Sequence, residues 1–365
     1  MSDEYYYLLA INRLESIGPV LSKNLIAYCG SAKSVFEANR KELRDIPGIN
    51  KTLAQRIHEF DEFDRVEEEL KFIEQNNIQI VSFFDRAYPN RLKQLPSAPI
   101  VLFQKGAADL NASRIISVIG TRKCSAHARE FTKEVIEKLA IYNPVVVSGL
   151  AHGIDAVAHR TCLEQNLLTI GVLGHGLNTI YPAANRKLSR QIAASGALLT
   201  ELQRTERADK ENFPKRNRIV AGRSDAVIVV ESAVTGGSMI TARVAFDFDR
   251  EVMAVPGRAN ELLSAGCNKL IKEHKAHLVE SAEDIARILN WDIPGNQTNL
   301  QFSLPVHLSK TEQLVFDTIR EIGCAEIDQL IRVTKVSTSV LAYTLLELEF
   351  RNIVRALPGK RFELV

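Results

Sequence analysis

The chain has 365 residues, 45% of them hydrophobic and 25% charged, which is the balance of a globular protein with room for two or three domains. Its net charge of +2 excludes a bulk polycation, so any surface for a polyanion must be a local patch. Five scattered cysteines (Cys29, Cys124, Cys162, Cys267, Cys324) exclude a disulfide framework or zinc knuckle and fit a reducing cytosol. The acidic opening Met1-Ser2-Asp3-Glu4 and the absence of a bilayer-length apolar run lead us to expect a cytoplasmic protein with no membrane association.

Residues 1–77 read as helical, broken at Ile17-Gly18-Pro19 and Ile46-Pro47-Gly48-Ile49. The amphipathic runs after the breaks, Leu21 to Tyr28 and Leu53 to Phe60, suggest a helix-hairpin-helix (SAM-like) pair. The acidic run Asp61 to Glu69 would repel a DNA backbone, so a plain helical bundle is the stronger reading of this domain's role. From 78 to 291 the period shortens. Candidate strands Ile78–Phe83, Ile100–Phe103, Ile115–Ile119, Val145–Ser148, Leu168–Leu173, Ala197–Glu201, Ala226–Glu231 and Glu251–Val255 are joined mostly by helical runs such as Ala126–Tyr142 and Ile154–Glu164. Apolar strands alternating with helices predict a doubly wound α/β domain on a parallel sheet. Residues 292–306 read as a Pro-, Gly- and amide-rich linker. From 307 to 365, three helical runs (Thr311–Ile322, Ala325–Arg332, Ser337–Phe350) and a hairpin turning at Pro358-Gly359-Lys360 predict a winged helix.

Four turns of the α/β domain carry candidate chemistry. Gly120-Thr121-Arg122 ends a strand; the glycine admits a phosphate to the backbone and the guanidinium can grip it, against the plainer reading of a solvated βα turn. Ser148-Gly149-Leu150-Ala151-His152-Gly153-Ile154-Asp155 opens the next helix. Asp155 and His159 lie one turn apart on it, but no third metal ligand is evident, so capping and packing is the better reading. Gly174-His175-Gly176 reads as a structural turn. Gly236-Gly237-Ser238 precedes a helix whose first N–H groups, at Gly237 and Ser238, suit an anion.

The most informative stretch is Asn212 to Arg223. Between Arg204 and Arg223 stand seven basic residues (Arg204, Arg207, Lys210, Lys215, Arg216, Arg218, Arg223) against three acids, with Phe213 and Asn217 interleaved. Cations neutralise phosphates and an aromatic ring stacks any base, so the pattern points to polyanion binding over a solvated helix. The dinucleotide fingerprint, a Walker lysine and a G-x-S-x-G elbow are all missing, which leaves no catalytic residue, metal or cofactor to expect.

In this order, Gly120-Thr121-Arg122, the Ser148–Asp155 run, Asn212-Phe213-Pro214 with Arg216-Asn217-Arg218, Gly237-Ser238 with Thr241-Ala242, Val255-Pro256-Gly257 and Gly266-Cys267-Asn268 resemble the bacterial DNA-processing protein A family (DprA, also called Smf) along the whole chain. The resemblance implies a Rossmann-like domain that binds single-stranded DNA and dimerises, and a non-enzymatic mediator that loads the recombinase RecA onto incoming DNA in natural transformation. It places DNA contacts at Gly120, Arg122, Ser148, Gly149, Lys210, Phe213, Asn217 and the backbone near Gly237; Thr121, Lys215, Arg216, Arg218 and Ser238 join them from the motif reading. Two departures soften the groove: His152 stands where the family often has Arg, and His175 where a small residue is common. The rival from another class is a Rossmann-type nucleotide-processing enzyme such as a phosphoribohydrolase, but Gly236-Gly237-Ser238 lacks the Gly-Gly-x-Gly-Thr continuation that such an enzyme needs. A duplex-reading regulator is disfavoured because Ser337 to Phe350 holds Glu347 and Glu349 and no cation before Arg351.

Overall fold

A computed structural model describes residues 3–291, 308–351, 353–357 and 359–364; the expected linker 292–306 lies outside the described residues, as does Pro358 of the expected turn. Six helices open the chain: α1 (Asp3–Arg13), α2 (Pro19–Cys29), α3 (Ala32–Glu37), α4 (Arg40–Arg44), α5 (Lys51–His58) and α6 (Phe63–Gln75). The chain then alternates through β1 (Gln79–Ser82), α7 (Asn90–Lys93), β2 (Val101–Gly106), β3 (Ile115–Ile119), α8 (Ala126–Leu139), β4 (Val145–Ser148), α9 (Ile154–Glu164), β5 (Thr169–Val172), α10 (Arg186–Ser195) and β6 (Ala197–Thr200). There follow α11 (Asn212–Gly222), β7 (Ala226–Val229), α12 (Gly237–Asp247), β8 (Glu251–Ala254), α13 (Ala265–Lys272), β9 (His277–Leu278) and α14 (Ala282–Ile288). The last unit is α15 (Lys310–Ile322), β10 (Cys324–Glu326), α16 (Ile327–Thr334), α17 (Thr338–Phe350), β11 (Val354–Leu357) and β12 (Arg361–Leu364). The three helices and the wing expected from sequence are present, with β10 as an added strand pairing β12.

The main sheet runs β1-β2-β6-β5-β4-β3-β7-β8-β9. It is mixed where a parallel sheet was expected: β1 pairs antiparallel with β2, and β2 antiparallel with β6. The connection from β1 to β2 spans residues 83–100 and carries the four-residue α7. From β6 to β9 every pairing is parallel. All residues of β3, β4 and β7 are buried, as strands covered on both faces must be. The period of two divides them. Ile115, Ile119, Val145 and Val227 face α11, α12 and α13, whereas Ile116, Val118, Val146 and Ile228 face α8, α9 and α14. The N-terminal bundle buries its apolar side against Ile100, Val101 and Phe103 around β2.

Polar contacts fix the other units to this sheet. Gln203, in the β6–α11 loop, donates through Nε2 to the Leu9 carbonyl at 3.2 Å, and the Arg204 N–H donates to Glu69 Oε1 at 2.9 Å. At the amino end of β7, buried Asp225 accepts from Arg91 Nε at 2.7 Å, from the Ile115 N–H at 3.0 Å and from Arg361 Nη2 of the winged helix.

Candidate nucleic-acid interface

The parallel strands run outward in both directions from the β3–β7 pair: β4, β5 and β6 follow on one side, β8 and β9 on the other. At such a reversal the loops leaving the two central strands part to opposite faces and open a crevice at the carboxyl ends. A cleft of about 390 Å³ lies there, lined among others by Gly120, Thr121, Arg122, Phe213, Arg216, Asn217, Gly237 and Ser238. Residues separated by more than a hundred positions in sequence thus meet around one space.

Its walls are held by close backbone approaches. A Cβ on Gly120 would stand 2.6 Å from Ile154 Cγ1, so the strand end and the start of α9 can approach this closely only without a side chain there. Gly153 has φ +74° and packs against the Thr121 carbonyl, where an added Cβ would be at 2.2 Å. The Thr121 N–H donates to the Glu231 carbonyl at 2.7 Å, and the Ser125 N–H to Glu231 Oε2 at 2.9 Å, so Glu231 joins the loops after β3 and β7. Thr121 therefore lines the cleft with its N–H already spent. Ser125 caps α8, accepting from the Ala128 N–H. Gly236 precedes α12 without a side-chain cap, and an added Cβ on Gly237 would meet nothing within 4 Å. The first N–H groups of a helix have no intrahelical acceptor, so the α12 start offers donors and a positive dipole end to the cleft.

Arg122 is exposed and has no ion pair among the described residues; its guanidinium lies 5.4 Å from the centre of the Phe213 ring. Phe213 is half-buried over Gly174, where an added Cβ would approach the ring to 3.0 Å, and its other neighbour is Tyr181, 6.1 Å between ring centres. The Gly174 turn thus supplies the seat of Phe213. Arg216 is 8% exposed and backs the cleft, also without an ion pair among the described residues. Burial, and secondarily the nearby Arg122, pull its pKa below the usual guanidinium value, with Asp155 opposing. Burial pushes the Asp155 pKa up, against Arg216 and the N–H donors of Ala151 and Gly149. A buried cation short of full compensation favours an incoming anion.

Several expected contacts sit elsewhere. Ser148 is fully buried and its hydroxyl donates to the Val118 carbonyl at 2.7 Å, so its side chain braces β4 against β3 and does not face the cleft. Gly149 lies under the Arg216 guanidinium, at 1.7 Å from where a Cβ would be; it makes room for that cation. Arg218 pairs with Glu201 and points away into the fold. Lys210 and Lys215 are exposed and do not line the cleft. The basic run is also less bare than its sequence, because Arg204 is taken by Glu68 and Glu69 of α6. His159 packs, as expected, its Nδ1 2.7 Å from Thr169 Oγ1, whereas Asp155 accepts from the Gly149 N–H at 3.1 Å and also lines the cleft, where its charge acts on Arg216. Burial drives the His159 pKa down to about 3, which keeps the ring neutral. His175 is a turn residue, its Nε2 accepting the Tyr181 N–H. Among the described residues no group of three or more His, Cys, Asp or Glu could hold a metal ion.

Against known proteins, the family model described as DNA recombination-mediator protein A matches residues 79–290, the sheet and its cleft. The chain belongs to that family. A SAM-like helix-hairpin-helix tandem matches residues 8–60 and a DprA winged helix domain matches 303–360. The chain is 32% identical to Protein Smf of Synechocystis over 99% of both sequences. It is 41% identical to the DNA processing protein DprA of Streptococcus pneumoniae, across 56% of this chain and 72% of that one. The X-ray structure of the pneumococcal DprA superposes with a TM-score of 0.67 at 33% identity, covering 79% of this chain and 98% of that one. A Helicobacter pylori DNA processing protein A, solved for its single-stranded DNA binding mode, gives a TM-score of 0.54 at 28% identity over 59% and 97% of the two chains. The fold is therefore Rossmann-like with a helix-hairpin-helix domain before it and a DprA winged helix after it. No helix among the described residues is long and apolar enough to cross a membrane.

Proposed function

We propose that this protein binds single-stranded DNA in the β3–β7 cleft and acts, without catalysis, as a recombination mediator that loads RecA onto incoming DNA in natural transformation. The observation that carries the reading is the convergence in one cleft of Arg122 and Arg216, neither with an ion pair among the described residues, the Phe213 ring and the uncapped start of α12. Phosphates would sit against Arg122, Arg216 and the N–H groups of Gly237 and Ser238 while a base stacks near Phe213; Lys210 and Lys215 add attraction from outside the cleft. Family membership and the Helicobacter pylori relative's single-stranded DNA binding support this. We further propose that it works in the cytoplasm as a homodimer through the α/β domain, as the family resemblance implies.

Titration of labelled oligo-dT and a matching duplex at two salt concentrations tests the binding half of the reading. Single strands should be preferred, with affinity falling as salt rises. Equal binding of duplex would shift the weight to the winged helix. A RecA assay on oligo-dT coated with a single-strand-binding protein tests the loading half, and no acceleration of filament formation would remove it. Light scattering giving a monomer mass at micromolar protein would remove the dimer.

A further inference from the structure

A second basic hollow lies beyond the first. About 330 Å³ in volume, it is walled by Lys105 of β2, by the loop residues Asn178 and Thr179, and by Arg186, Ser189 and Arg190 of α10. Arg186 and Arg190 are one turn apart and so share a helix face, and both are exposed. None of its lining residues is a carboxylate, and none of its three cations has an ion pair among the described residues. In the Arg204–Arg218 run, by contrast, two of the six cations, Arg204 and Arg218, are taken by carboxylates of the fold.

Two connections join this hollow to the cleft. The loop that forms its floor continues directly into Tyr181, whose half-exposed ring is the neighbour of Phe213. The residue before Arg186 is Asn185, buried, whose side-chain amide donates to the carbonyls of Leu150 at 2.9 Å and Ala151 at 3.2 Å; Ala151 lines the cleft. The start of α10 is thereby fastened to the cleft wall, with Arg186 directly after the tether. An aromatic step between two anion-attracting hollows suits a chain of alternating bases and phosphates, whereas a lone small anion would need only one of them.

We propose that the Lys105–Arg186–Arg190 hollow is a second phosphate site, which takes the backbone of the same single strand as it leaves the cleft across Tyr181. This rests on the reading of the cleft as a single-strand site, and it lengthens the footprint beyond what the cleft alone can hold. The site is electrostatic and acts on the backbone, because its attraction comes from three cations that carry no sequence information.

The experiment is an anisotropy titration with oligo-dT of about 5 and about 20 nucleotides, bracketing the footprint of a small single-strand site. The Arg186→Ala/Arg190→Ala double variant should bind the short oligomer like the parent protein. It should bind the long one about tenfold more weakly, with a log–log salt slope shallower by about 1.4 for two lost phosphate contacts. Both positions are exposed on a helix and Ala favours helix, so the melting temperature should stay that of the parent. Arg190→Glu provides a second, single-site check in the same direction. Long-oligomer binding unchanged in both variants overturns the proposal, as does an equal loss for both lengths. The Arg122→Ala variant separates the two readings: it should weaken both lengths, and if it weakens neither, the cleft itself is not the single-strand site.

Discussion

Arg122→Ala is the sharpest perturbation of the cleft. The side chain is exposed and has no ion pair among the described residues, and its guanidinium lies 5.4 Å from the centre of the Phe213 ring. Its removal therefore costs the fold only an exposed cation–π contact, about 0.5–1 kcal/mol. On the binding side it deletes a charge-assisted hydrogen bond to phosphate, worth about 1.5–3 kcal/mol, which is between about tenfold and about 150-fold in affinity. One lost phosphate contact should also make the log–log salt slope shallower by about 0.7. Anisotropy titration of oligo-dT at two salt concentrations, beside a thermal melt, reads all three quantities. An affinity within twofold of the parent, in a protein that melts normally, would refute the placement of a phosphate at Arg122 and with it the cleft as assembled here.

Phe213→Ala should weaken oligo-dT by roughly 1–3 kcal/mol while leaving the salt slope unchanged, because stacking releases no counterions; a changed slope would mean the ring acts by placing Arg122. Asp225→Ala removes the buried carboxylate that pairs with Arg91 and Arg361 and leaves the Ile115 N–H without its acceptor, so urea unfolding should show a loss of about 3–5 kcal/mol. A loss below about 1 kcal/mol would show that the buried cluster contributes little to the fold. His159 supplies a pH prediction. Its folded pKa is about 3, below the ordinary value of 6.5, so the unfolded chain takes up the proton first and stability falls as pH drops below 6.5. Between pH 7 and pH 5 that should amount to about 2 kcal/mol, absent in His159→Gln; equal pH dependence of the two proteins by urea unfolding would count against a neutral, buried ring.

The sequence announced the cleft through its glycines better than through its charges. Gly120, Gly153 and Gly237 sit at strand-to-helix turns, and a turn of that kind is local enough to be seen in a dozen residues. The fate of each cation was not local. Arg216 and Arg218 are two positions apart and look alike in sequence, yet one backs the cleft and the other is paired with Glu201. What separates them is a carboxylate brought in by β6, and likewise Glu68 and Glu69 of α6 take Arg204. Ser148 was attractive for its place in a conspicuous motif, but a residue that ends a central strand points into the sheet's own packing. The strand runs themselves were legible from their β-branched residues, whereas the antiparallel sense of β1 and β2 depends on which neighbour they find, and that is set by the whole sheet. Tyr181 carried a faint signal, following Gly174-His175-Gly176 at short range, and only the structure puts it beside Phe213.

Glu231 ties the loop after β3 to the loop after β7 through both its main-chain carbonyl and its carboxylate. The two lips of the cleft are thus tied to each other before any strand arrives. Capture should then be a one-step encounter whose observed rate climbs in proportion to strand concentration without levelling off, and whose speed is set by electrostatic attraction over the last few ångströms. A strand held this way would be handed on as fast as its contacts break, as the proposed mediator role requires.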